Sequence, residues 1–101
     1  MYLETFKPEN LIDYNSSCFE RKVLWEEDEN KIMLVALEKN QKMPEHFSPI
    51  DAIIFVLKGK IEFLIEDKEY TVKESEMFII PAKTPHKVMG KEKSKFLVCR
   101  V

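Results

Sequence analysis

The chain carries only two histidines, His46 and His86, separated by 40 residues. Imidazole titrates close to neutral pH, so such a pair can work as acid and base without help, and its neutral form is the commonest protein ligand for metals. Two surface loop histidines fit the composition as well, so the neighbouring residues have to decide. Each histidine sits just outside an apolar run. His46 lies in Pro44-Glu45-His46-Phe47-Ser48, and His86 ends Phe78-Ile79-Ile80-Pro81-Ala82-Lys83-Thr84-Pro85-His86. The two cysteines, Cys18 and Cys99, stand near opposite ends and fit no metal or redox spacing. Cys99 lies between Val98 and Arg100, in a run that reads as a last strand with a structural thiol rather than a nucleophile. No nucleophile, base and orienting group occur together.

The elements that must position these side chains are short. Of 101 residues, 45% are hydrophobic, enough for one core and one domain. Charges nearly cancel, with 16 Lys and Arg against 18 Asp and Glu, and no basic run is present. That argues against nucleic-acid binding, and the high apolar content argues against disorder. Short apolar or alternating runs of up to seven residues recur along the chain: Val23–Trp25, Lys31–Leu37, Ile53–Leu57, Ile61–Ile65, Tyr70–Val72, Met77–Ile80, Val88–Met89 and Phe96–Val98. Charged or turn-forming residues separate them, and no stretch shows a helical period. The pattern predicts an all-β fold of six to nine strands, a small barrel or jelly roll with little helix. Residues 1–22 read as a loosely structured lead-in with at most one short strand.

The run Ala52–Leu57 is apolar on both faces. Ile54 and Val56 point one way, and Ile53, Phe55 and Leu57 the other. One face belongs to the core. The other needs cover, and a second copy of the chain is expected there in preference to the chain's own N-terminal segment. The longest apolar runs, Ile32–Leu37 and Ala52–Leu57, are far too short to span a membrane. Met1–Lys7 has no apolar stretch of the secretory kind, so a cytoplasmic location with two free thiols is expected over a Cys18–Cys99 disulfide.

The stretches around His46 and His86 resemble the cupin family, which has two short motifs. The first, G-x(5)-H-x-H-x(3,4)-E-x(6)-G, falls on Asn40, His46, Ser48, Ala52 and Gly59. The second, G-x(5)-P-x-G-x(2)-H-x(3)-N, falls on Ser75, Pro81, Lys83, His86 and Gly90, and all spacings are kept. The resemblance covers about residues 31–101 and includes "VLKGKIEF" and "IIPAKTPH". It implies a double-stranded β-helix, with residues 1–30 as lead-in and strands and 31–101 as the motif-bearing barrel. It also implies a site at the barrel mouth.

The departures bear on function. Metal-binding members use two His and a Glu from the first motif and one His from the second. Carried over, only His46 and His86 remain as ligands, because Ser48 replaces the second His and Ala52 the Glu. Two imidazoles without a carboxylate fall short of the usual iron and zinc sets. Asp51 and Glu45, beside the motif positions, point to the other face by alternation, and only a bulge would turn one inward. Three family glycines are Asn40, Ser75 and Lys83, so their turns are either reshaped or strained.

The resemblance implies a pocket lined by His46, Ser48, Ala52, Ile54, Val56, Phe63 and His86. Losing the Glu should make it roomier and more apolar, suited to a small ligand with one anionic or hydrogen-bonding group. The first functional reading is therefore a small-molecule-binding domain with an incomplete site for Mn, Fe, Ni or Zn. The alternative is a metal-dependent dioxygenase, isomerase or decarboxylase acting on a small organic acid or sugar. A third reading is an interaction module using the apolar strand face. A fused helix-turn-helix sensor does not fit in this length.

Overall fold

A computed structural model describes residues 3–101. Nine strands follow a 3-10 turn at Pro8–Leu11: β1 Glu20–Glu27, β2 Asn30–Leu37, β3 Lys42–His46, β4 Ala52–Lys58, β5 Lys60–Ile65, β6 Lys68–Lys73, β7 Met77–Ile80, β8 His86–Gly90 and β9 Ser94–Arg100. They form a five-stranded sheet in the order β1-β2-β9-β4-β7 and a four-stranded sheet in the order β3-β8-β5-β6. Every pairing is antiparallel. The two sheets face each other as the walls of a jelly-roll barrel, the double-stranded β-helix expected from the sequence.

Alternation explains which residues fill the barrel. Met33, Val35 and Leu37 of β2, Ala52, Ile54 and Val56 of β4, and Phe96 and Val98 of β9 meet Ile61 and Phe63 of β5, Val72 of β6 and Val88 of β8 in one buried cluster. At the closed end, buried Ser94 accepts a hydrogen bond from the Lys60 amide at 2.9 Å. Gly59 turns the chain beside it at φ +84°. A Cβ there would collide with the Lys93 carbonyl and the Ser94 hydroxyl, so both the backbone angle and the space require glycine.

Asn40, Ser75 and Lys83 have φ of 71°, 67° and 61°. The turns are kept and the left-handed backbone is carried by residues with side chains. Hydrogen bonds pin each one: Asn40 N to Gly90 O at 2.7 Å, Ser75 N to Val56 O at 2.8 Å and Lys83 N to Ser48 O at 2.7 Å.

β3 has no counterpart among the apolar runs of the sequence. Pro44 and three charged or titratable neighbours disguise it, and only Met43 is buried. Proline is tolerated because β3 is an edge strand, with a register shift between Met43 and His46. The histidines, expected just outside strands, instead end β3 and begin β8. β1 is longer than expected and adds a full fifth strand to the large sheet.

The outer face of β4 is covered in part by the chain itself. Leu11, buried Ile12 and Tyr14 pack with Leu34, Ala36, Leu57 and Leu97. Lys95 Nζ donates to Glu9 O at 2.7 Å and Lys22 Nζ to Leu11 O at 3.1 Å, which ties the segment down. Leu57 thus lies in a cluster with the chain's own N-terminal segment. An extended N-terminal segment reaches this end of the sheet, and two lysines hold its carbonyls. Beyond that cover, Trp25, Ile32, Cys99, Ile53 and Ile79 stand opposite one another in register across all five strands. Met77 and Ile79 at the β7 edge are about 60% exposed.

Candidate functional site

β3 and β8 place His46 and His86 directly opposite each other. Their rings lie 4.3 Å apart between centroids, at an interplanar angle of 63°. Each ring is fixed by the same device. His46 Nδ1 donates to Pro44 O at 2.8 Å and His86 Nδ1 to Thr84 O at 2.9 Å. A carbonyl can only accept, so Nδ1 carries the hydrogen and Nε2 remains the free nitrogen of the neutral ring. The PEH and TPH sequences thus make matching hydrogen bonds, each histidine to the carbonyl two residues before it. Phe63, buried beneath, meets His86 edge-on at 5.9 Å and continues into Phe78 and Phe96.

His86 is buried, and that burial pushes its pKa below the ordinary 6.5. The hydrogen bond to Thr84 opposes the shift, while His46 and the Arg100 guanidinium add to it. His86 is thereby held neutral at physiological pH.

Among the sequence-derived pocket residues, His46, Ser48, Ala52, Ile54, Phe63 and His86 line one cavity. Val56 does not. It lies further along the inward row of β4, fully buried where the core has closed. The cavity is also smaller than the missing Glu led us to expect. Its free volume is about 30 Å³, room for about two waters. Met33, Met43, Val88 and Val98 reach in and fill the space. Outside it lies a cleft of about 230 Å³ lined by Phe19, Arg21, Met43, Pro44, His46, Phe47 and Arg100.

The site residues that sequence reasoning missed are Arg21 and Arg100, which line both the inner cavity and the outer cleft. They are the only arginines in the chain. A signal for Arg100 was present, since it follows Phe96 and Val98 at the inward parity of β9. Arg100 pairs across the sheet with Ala52, so a guanidinium stands next to the position where metal-binding cupins carry a carboxylate. Burial, and secondarily the charge of Arg21, lower the Arg100 pKa from its usual value.

This donor set does not fit a divalent metal. It offers two Nε2 atoms. The Ser48 hydroxyl accepts from the Ile50 amide at 3.3 Å and Ala52 offers nothing. Asp51 is exposed and accepts from the Ala82 amide at 2.8 Å, while Glu45 lies on the outer surface, so neither turns inward. No cluster of three His, Cys, Asp or Glu suited to a metal occurs among the described residues. Cys18 and Cys99 are free thiols, and partial burial raises the pKa of Cys99. No helix among the described residues is long and apolar enough to cross a membrane.

Known proteins bear on this geometry. Curated relatives named 3-hydroxyanthranilate 3,4-dioxygenase, from Bacillus cereus and Bacillus thuringiensis, are 29% identical over 93 residues, spanning 83% of this chain. The chain covers 51% of their length, about half. A conserved protein of unknown function from Streptococcus pyogenes superposes with a TM-score of 0.90 at 24% identity, covering all of this chain and 89% of that one. A cupin superfamily protein from Desulfitobacterium hafniense gives 0.91 at 18% identity, covering all of this chain and 93% of that one. Residues 33–99 match the family profile described as "Cupin domain". With the paired strands, the jelly-roll sheets and the two histidines at their motif positions, this places the chain in the cupin family.

Proposed function

We propose that this cupin binds a small organic molecule at the barrel mouth and that its two imidazoles act as hydrogen-bonding groups instead of a metal shell. One observation carries the reading: Arg100 stands beside Ala52, so the third ligand position offers positive charge and no donor lone pair. A cation there disfavours a second cation between the imidazoles. The test is a calorimetric titration of chelator-treated, dialysed protein with Mn, Fe(II), Ni and Zn. The expected result is no stoichiometric, submicromolar binding. Such binding, if abolished by His46→Ala, would overturn the reading.

The relatives favour a second reading, a metal-dependent enzyme acting on a small organic acid, of the dioxygenase type their name states. It requires a ligand from outside the two motifs, and oxygen consumption with 3-hydroxyanthranilate in the presence of Fe(II) would support it. We also assign the uncovered outer face of the five-stranded sheet to a second copy of the chain. The apolar row Trp25–Ile32–Cys99–Ile53–Ile79 contains no charge, and Phe55 and Met77 extend it. Five strands about 4.8 Å apart give a face roughly 20 Å wide, the scale of a dimer core. The two free thiols accord with a cytoplasmic place for it.

A further inference from the structure

Arg21 and Arg100 come from β1 and β9, which β2 separates, yet both face the space in front of the imidazoles. The four ion pairs among the described residues all use lysine, so neither arginine has a carboxylate partner there. Arg100 Nε is buried without a hydrogen-bond partner among the described residues. No carboxylate lines the inner cavity or the outer cleft. Arg100 is only partly buried, but an Nε–H withdrawn from water without an acceptor is a costly arrangement. The planar guanidinium fork matches a carboxylate.

We propose that the barrel mouth takes a small hydroxy acid. Its carboxylate lies between Arg100 and Arg21, and its hydroxyl donates to the Nε2 of His46 or His86. Its apolar body rests against Phe19 and Phe47. The two volumes set this orientation, because the inner cavity of about 30 Å³ admits a hydroxyl while the outer cleft of about 230 Å³ holds the rest. The inference rests on the metal-free reading, since a metal on Nε2 would take the lone pair that the hydroxyl needs.

The test titrates dialysed, metal-free protein with salicylate and with lactate, followed by amide and arginine side-chain NMR signals. The neutral salicylamide and lactamide serve as controls. At least one acid should bind at millimolar concentration or below and shift the Arg100 Nε–H signal, with its amide weaker by about tenfold or more. Arg100→Gln should weaken acid binding to a similar degree and leave amide binding unchanged. Arg21→Gln, at an exposed position, should also weaken it, and this second variant keeps the test valid if Arg100→Gln fails to fold. The proposal is overturned if neither acid binds, if the amides bind as well as the acids, or if the foldable arginine variants bind the acids like the parent. Repeating the titration with zinc separates the two claims. Acid binding that appears only with zinc would overturn the metal-free reading itself, whereas equal binding of acid and amide without zinc overturns only the anion site.

Discussion

Arg100 and Ala52 face each other across two strands, and this one pair alters what the imidazoles can do. Restoring a carboxylate alone should not restore a metal site. In Ala52→Glu the new carboxylate is expected to pair with Arg100, whereas Ala52→Glu with Arg100→Gln leaves it free to act as a third ligand. Zinc titration should therefore show tighter binding for the double variant than for the single one. Equal affinities would mean that Arg100 does not control the site. His86 makes a second prediction. Its pKa is lowered on folding, so below about 6.5 the unfolded chain binds a proton that the folded chain refuses. Stability should be full above that pH and fall as pH drops toward the folded-state value. Urea midpoints between pH 7.5 and 5.5 would show this decline, and His86→Gln should flatten it. An unchanged slope in that variant would assign the decline to other groups.

The turns between strands show a different economy. Asn40, Ser75 and Lys83 hold left-handed backbone where the family motif has glycine, and the hydrogen bonds of their amides keep them there. For Ser75 and Lys83 the penalty is about 1–2 kcal/mol, against about 0.5–1 kcal/mol of extra chain entropy lost by a glycine. Ser75→Gly and Lys83→Gly should each stabilise the fold, by about 0.5–1 kcal/mol net, as read from urea denaturation. Destabilisation by both would show that their side chains contribute more than the strain costs. Most strands were legible in the sequence, β5 and β6 by alternation and β4 and β7 as short apolar runs bounded by polar or turn residues. β3 was not, since an edge strand with one buried residue and a proline carries no periodic signal. The histidine positions were legible from motif spacing. Arg100 carried only the inward parity of β9 and Arg21 no signal at all, because charged residues read as solvent-facing until the sheet order shows which strands converge on the mouth.

At the level of the whole molecule, one end of the large sheet is closed by residues 11–14 and the remainder is apolar and open. Light scattering at micromolar concentration should report a dimer, and Ile79→Lys with Met77→Lys should convert it to a monomer without unfolding it. A parent protein that is already monomeric would remove the second copy from the account. Two apolar faces on one strand were visible in the sequence, but how far the N-terminal segment reaches depends on lysine–carbonyl bonds over long sequence separations. The barrel mouth poses the central question: whether two paired imidazoles beside a guanidinium hold a metal. The most direct measurement is a high-resolution crystal structure grown with zinc, using anomalous scattering at the zinc edge. The account predicts no anomalous peak between His46 and His86. A fully occupied peak bonded to both Nε2 atoms would contradict it.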